Sequence, residues 1–380
     1  MNIGVLRESN PLDRRVALTP PVVRQLVEHG NRVWVETHAG DGAMFRDEDY
    51  IRAGAEIAYK AAEVLRRGDV VVKISVPTVA ELDRCRPGAI VMAFYHMAVA
   101  GPALFEKLVE RKITAIGCEL IQTAEGKLPV LAAVSAIGGQ MTVPLAAHLL
   151  RSSSGGRGIM LGGSPGVPPA HFVVLGAGTA GSWAACTALA AGARVTVLDI
   201  DTEKLRRVME RRPNIATLLS DRENIAAAVR SADVVIGAVL VPGSAEPPHV
   251  VTKAMVESMR PGSVIIDLSI DQGGCVETSR PTTILEPTFV HHGIVHYCVP
   301  NLTADMGHST SIAVAHALMP YLIRMGEAGP DVALMSNAEL ASGVYTCRGA
   351  CVNEQLAAAW KIPHRALNEL LLDPIEQGSE

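Results

Sequence analysis

The stretch His171–Asp199, HFVVLGAGTAGSWAACTALAAGARVTVLD, constrains the chain more than any other. Phe172–Leu175 is an apolar run of the length of a buried parallel strand. Gly176, Gly178 and Gly181 follow in the spacing G-x-G-x-x-G. In that spacing the first glycine makes a tight turn and the second lets backbone approach a pyrophosphate. The third lets a helix pack closely on the strand. Thr179–Ala191 is alanine-rich and helical in character, and its first residues, Thr179 and Ala180, offer helix N-terminal N–H groups to phosphate. Val195–Leu198 is the next strand, and Asp199 ends it. A carboxylate about 20 residues past the glycines hydrogen-bonds the ribose hydroxyls of an adenosine and repels a 2′-phosphate. Strand, turn, helix, strand and acid in that order predict a nucleotide-binding fold selective for NAD. A tight turn in another α/β protein would explain the glycines but not the ordered set.

At 380 residues the chain is long enough for two domains. It is 48% hydrophobic and 19% charged, which suits a large core, and its net charge of −5 offers no basic surface to nucleic acid or an anionic membrane. Met1–Leu6 reads as a strand followed at once by Arg7 and Glu8, so no signal peptide is expected. The longest apolar stretch, Val130–Leu150, contains Gly138, Gly139, Gln140, Pro144 and His148 and reads as a buried helix, not a membrane span. The seven cysteines have no pairing pattern, which points to reduced thiols and a cytoplasmic setting. Cys347 and Cys351 sit at i, i+4, a helical spacing, but two thiols do not make a metal site. His291, His292 and His296 are a weak metal signal without a nearby acid and read as flanking a strand in solvent.

Residues 1–130 alternate strands (Asn2–Leu6, Arg32–Glu36, Val70–Ser75, Ile90–Ala93, Thr114–Gly117) with helices (Pro20–His29, Asp47–Ala53, Ala61–Arg66, Gly101–Arg111). Thr19 and Pro20 fit the N-cap and first position of the first helix. This alternation predicts a second parallel sheet without a glycine fingerprint. A helix over Val134–Leu149 leads into the Gly/Ser/Pro-rich loop Ser152–Pro169. Beyond Asp199, strands are expected at Asp233–Ala238, Ser263–Leu268 and Val295–Val299, whose carboxyl ends are where an open α/β sheet binds ligands. From Ser309 the pattern is helical: Ser311–Arg324, Val332–Met335, Asn337–Gly343 and Asn353–Trp360. The fold class is therefore α/β, with two Rossmann-like parallel-sheet domains. One is discontinuous (1–130 and 308–380), and the NAD-binding domain (131–307) is inserted in it.

The stretches IGVLRES, RRVALTP, AGDGAMF, FYHMA, GGRGIMLGG, PGVPPA, VVLGAGTAG, VTVLDID, DVVIGAVLVPG, IDQGGC and SRPTT resemble the alanine dehydrogenase family nearly end to end. The wider group includes the NAD-binding subunit of proton-translocating transhydrogenase, a branch that lacks a histidine at the place of His96. The resemblance implies an NAD-dependent amino-acid dehydrogenase that assembles as a homo-oligomer, a hexamer in the family.

Arg15 lies in a loop before a helix, and its guanidinium is a natural bidentate partner for a substrate carboxylate. By itself it reads as a surface arginine, but the family's substrate arginine matches it. His96 follows the apolar run Val91–Tyr95, and an imidazole there exchanges protons near neutral pH; the family's catalytic histidine matches it. Asp271 ends a strand before Gly273-Gly274. The resemblance implies that it handles the amine and activates the water that hydrolyses the imine, facing the same inter-domain cleft as His96. Ser135, Val239, Leu240, Ile270 and Asn301 match positions near cofactor or substrate.

One departure bears on the substrate. The family pattern resembles Lys-x-Lys-x-Pro, with the second lysine on the substrate. Here the sequence is Lys73-Ile74-Ser75-Val76-Pro77, so Lys73 remains and Ser75 replaces the second lysine. Near His308 the family more often has a lysine. Besides a dehydrogenase for a simple amino acid, two alternatives stay open: a relative acting on another amine or imine, and an NAD-binding regulatory module without turnover.

Overall fold

Runs of valine and isoleucine bounded by glycine, proline or charged residues set the strands, and the residues of the central strands are buried, as parallel sheets covered by helices require, while the edge strands Ala216–Leu219 and Thr288–His291 are partly exposed. The computed structural model describes residues 1–240 and 248–372. The chain folds into two compact units, one of Met1–Val134 with Ala304–Glu380 and one of Ser135–Thr303. Val241-Pro242-Gly243 of the DVVIGAVLVPG stretch, and residues 373–380 of the expected first domain, lie outside the described residues.

The first unit opens with β1 (Asn2–Val5), β2 (Arg32–Glu36), β3 (Glu56–Ala58), β4 (Val70–Val72), β5 (Ile90–Ala93) and β6 (Thr114–Gly117), all parallel in the order β6-β5-β4-β1-β2-β3. The helix Pro20–Glu28 starts at an extended Thr19 with proline at its first position, although the Thr19 side chain makes no capping bond. Helix Pro129–Leu149 begins in this unit and ends in the second. It starts five residues before the expected Val134. By length and composition alone it could cross a bilayer. Val130, Met141, Val143, Ala146 and Leu149 are nonetheless buried in protein cores.

The second unit holds β7 (His171–Leu175), β8 (Arg194–Asp199), β9 (Ala216–Leu219), β10 (Val234–Gly237), β11 (Val264–Asp267), β12 (Thr288–His291) and β13 (Ile294–Tyr297). Their order is β12-β13-β11-β10-β7-β8-β9, parallel except for β12. Strand order reverses between β7 and β10, beside the glycine turn, and such switch points are where these sheets bind nucleotides. His296 corrects the solvent reading of the histidine group. It is fully buried on β13, its Nδ1 pairs with the Ile294 carbonyl (3.0 Å) and its Nε2 with the Thr278 hydroxyl (2.9 Å). Burial pushes its pKa down to about 4.

The tail also departs from expectation. It is not only helical: β14 (Val344–Cys347) joins β6 antiparallel, and β15 (Ala350–Cys351) pairs with β14. Arg348 (φ 49°) and Gly349 (φ 87°) make the two-residue turn, both left-handed as a tight hairpin needs. Cys347 and Cys351 therefore lie on a hairpin, not on one helical face, and both are buried free thiols.

Candidate functional site

The three glycines of the second unit have different neighbours. A Cβ on Gly176 (φ 102°) would sit 2.3 Å from the Ala238 carbonyl oxygen, and one on Gly181 would sit 1.8 Å from the Gly176 carbonyl oxygen. Both are required by the chain's own close packing. A Cβ on Gly178 would meet nothing within 4 Å. The space over Gly178 is open, and the helix Thr179–Ala190 that starts beside it has no side-chain cap. That is the cradle a pyrophosphate fits: open backbone over a helix N-terminus. A Cβ on Gly139 would stand 2.2 Å from the Ala180 carbonyl oxygen, and Ser135, one turn earlier and half-buried, lies on the same face of its helix.

Asp199 is buried at the end of β8. Its Oδ2 accepts the Ala177 N–H (2.6 Å) and its Oδ1 the Asp201 N–H (2.8 Å), so the carboxylate braces the glycine loop. The Val239 N–H donates to the Ser269 hydroxyl (3.0 Å), Leu240 is exposed, and Ile270 is buried. Asp271 lies on a 3₁₀ turn, Leu268–Gln272, after β11. Its Oδ1 accepts the Asn301 N–H at 2.7 Å, and Asn301 is held left-handed (φ 53°). These two expected site residues are therefore adjacent.

Sequence reasoning missed Asp267. This buried carboxylate accepts the N–H groups of Ser269 (3.0 Å), Cys275 (3.0 Å) and Val276 (3.2 Å) and the Ser279 hydroxyl (2.7 Å). It fixes the loop that carries Asp271. The sequence signal was an acid closing an apolar strand, as at Asp199.

In the first unit, Arg15 is held in a closed position. Gly42 and Gly307 both leave room for the Arg14 backbone, where their Cβ atoms would stand 2.9 and 2.4 Å from the Arg14 carbonyl oxygen. The Val16 N–H donates to the Ser311 hydroxyl (2.8 Å), and His308, stacked on Phe45, pairs with the Ala43 carbonyl (2.8 Å). The Arg15 guanidinium then grips Asp13 with two bonds, Nε to Oδ1 (2.8 Å) and Nη2 to Oδ2 (2.6 Å). The Ser75 hydroxyl donates to the same Asp13 Oδ2 at 2.6 Å. Burial alone would raise the Asp13 carboxyl, but Arg15 and Ser75 hold it below the usual range.

Lys73, a substrate-binding candidate because the family's first lysine matches it, is paired within the first unit. β4 ends at Val72, so Lys73 and Ser75 are not strand residues sharing a face. Lys73 is fully buried, and its Nζ donates to Glu81 (2.9 and 3.1 Å) and Ser9 (2.8 Å). A buried ammonium needs such partners. Glu8 accepts the Ile74 and Ser75 N–H groups (2.8 and 3.1 Å), and burial, against the pull of Lys73, raises its pKa.

His96 follows β5 in a left-handed conformation (φ 44°) at the start of the short helix Met97–Ala100. Its Nδ1 is buried and has no hydrogen-bond partner among the described residues. Its ring stacks on Phe94. A strained, non-glycine residue that presents an unsatisfied ring nitrogen is typical of a functional position.

Comparison with known proteins covers both units. The N-terminal domain of the alanine dehydrogenase/PNT family matches residues 4–138 and its C-terminal domain matches 142–354. An alanine dehydrogenase from Mycobacterium tuberculosis is 41% identical over 364 residues, 96% of this chain and 98% of that protein. One from Geobacillus stearothermophilus is 38% identical over 98% of this chain and all of that protein. A solved L-alanine dehydrogenase superposes with a TM-score of 0.89 at 38% identity, covering 95% of this chain and 99% of that one. With both domains matched and relatives aligned over nearly their whole length, this chain belongs to the alanine dehydrogenase/PNT family.

Proposed function

We propose that this protein oxidises the α-carbon of an L-amino acid and releases the 2-keto acid and ammonia, or runs the reverse. It is an NAD-dependent oxidoreductase acting on CH–NH₂ groups. When bound, NAD supplies the hydride acceptor. Arg15, oriented by Asp13, anchors the substrate carboxylate. The His96 imidazole moves the proton that leaves as the amine becomes an imine. Asp271, beside Asn301, orients the amine and then the water that adds to the imine carbon; ammonia departs and the carbonyl forms. The glycine cradle, Ser135, Asp199, Val239, Leu240 and Ile270 hold the cofactor. In this reading the first unit carries the carboxylate anchor and the proton-transfer histidine, and the second carries NAD together with Asp271. The observation that carries the reading is His96, whose buried Nδ1 has no partner among the described residues and whose backbone is left-handed.

A second reading, favoured by Ser75 and the Asp13–Arg15 pair, keeps the cofactor and chemistry but changes the substrate to a different amine or imine. Following NADH formation from NAD with L-alanine and a panel of amino acids separates the two. Absence of turnover with every amino and keto acid, with NAD bound normally, would leave a regulatory NAD-binding module instead. We further propose a cytoplasmic homo-hexamer. Seven free cysteines fit a reducing compartment.

A further inference from the structure

We propose that Glu119 is a positioning residue for His96, and that Tyr345, from the returning tail, holds Glu119 in that role; this rests on His96 being the proton-transfer residue. Glu119 lies two residues past β6 and is almost fully buried. Its Oε2 accepts the Tyr95 N–H (3.2 Å), and its Oε1 accepts the His96 N–H (2.8 Å). These are consecutive amides at the point where the chain leaves β5 and turns left-handed. A left-handed turn at a residue with a side chain persists only when its surroundings over-determine it. A carboxylate taking both amides is such a determinant, because bonds to an ionised acceptor are the strong ones.

The third donor comes from far along the chain. The Tyr345 hydroxyl gives its proton to Glu119 Oε1 at 2.9 Å, 226 residues away. The ladder between β14 and β6 shifts register between Val344 and Thr346, so Tyr345 sits at an irregularity of the kind that re-aims a side chain. Gly117 makes room for it: a Cβ there would stand 2.5 Å from the Tyr345 ring and 3.1 Å from Glu119 Oε1. Burial, and then the Glu119 carboxylate, push the phenol pKa well up, so it remains a donor. The Tyr345 ring also meets Tyr95 edge-on at 6.0 Å. Strand β14 therefore braces the turn that bears His96 through a single carboxylate.

The test is a double-mutant cycle in the whole protein, with NADH formation read from NAD and the best-turned-over amino acid of the panel. Glu119→Gln puts an amide NH₂ against one of the two N–H groups. It is expected to lower kcat by about tenfold or more, with KM and NAD affinity little changed. In a His96→Ala background the same change should alter the residual kcat by less than about twofold, since nothing remains to position. Equal losses in both backgrounds, or no loss in the first, would overturn the proposal. If Glu119→Gln does not fold, Tyr345→Phe runs the same cycle with a smaller loss of about threefold. A crystal structure of either variant decides without turnover. The proposal expects residue 96 out of the left-handed region with β5 and β6 unchanged, and His96 unmoved would overturn it. Wild-type kcat in His96→Ala alone would instead sink the role given to His96, whatever Glu119 does.

Discussion

At Ser75 a hydroxyl donates 2.6 Å to a carboxylate that already binds Arg15, where the family pattern carries a second lysine. The second lysine of the family pattern is absent, and the Lys73 ammonium is paired with Glu81 and Ser9. A preorganised cationic donor lost from a developing charge costs on the order of 3 kcal/mol, or about a hundredfold in rate. We predict weak turnover of L-alanine and pyruvate with NAD binding intact. Ser75→Lys should raise kcat/KM for L-alanine by about tenfold or more, since it returns an ammonium to the place of the family's second lysine. Wild-type turnover at roughly ten per second would show that Ser75 is harmless. Asp199 is the second residue with a decisive charge. Asp199→Ala should weaken NAD binding and narrow the preference over NADP, measured by titrating both cofactors. Equal wild-type affinity for NAD and NADP would refute the assignment. Because Asp199 also holds the Ala177 and Asp201 N–H groups, a modest loss of melting temperature should accompany the change.

Elements were legible where their pattern is local. The valine-rich strands and the glycine turn announced two α/β sheets because a parallel strand buried on both faces is written as an apolar run. β14 was not legible. Val-Tyr-Thr-Cys is four residues long and sits among helices, and only its place beside β6 makes it a strand. Glu119 and Asp267 were missed for a related reason. An acid at a strand's last residue, or two residues past it, looks like a solvated loop until the fold brings several N–H groups around it. His296 was misread because burial of β13 depends on β11 and β12 lying to either side. Its outcome is measurable. The imidazole titrates near 6.5 when unfolded and near 4 when folded, with burial as the cause and His291 as a minor contributor. Between those values the unfolded chain binds more protons, so stability is complete above about pH 6.5 and falls as pH drops toward 4. A span of about 2.5 units corresponds to roughly 3 kcal/mol. Denaturant unfolding across that range should show the loss, and His296→Asn should flatten it. An unchanged slope in the variant would mean that other groups carry the acid sensitivity.

Assembly belongs to the molecule as a whole, and the surface chemistry bears on it. In the apolar helix Pro129–Leu149, only 39% of the most hydrophobic window is buried. Leu131, Val134, Ile137 and Leu145 are only partly covered. In the Gly/Ser/Pro-rich loop before β7, Met160 is 64% exposed and Val167 is 52% exposed. Open apolar surface of this kind marks a contact when it is contiguous, and in a symmetric oligomer one patch on each copy can cover its own equivalent. A net charge of only −5 on 380 residues opposes such packing weakly. The hexamer proposed from the family resemblance predicts that light scattering at micromolar concentration returns about 240 kDa, six times the 40.1 kDa chain. A mass near that of one chain would contradict assembly, and a mass near two chains would keep assembly but reject the hexamer. Met160→Glu combined with Val167→Glu places two charges in the loop and should lower the mass while leaving NAD affinity intact, because the glycine cradle is built within one chain. If the double variant keeps its full mass, the loop is not the contact, and the half-open helix is the surface to substitute next.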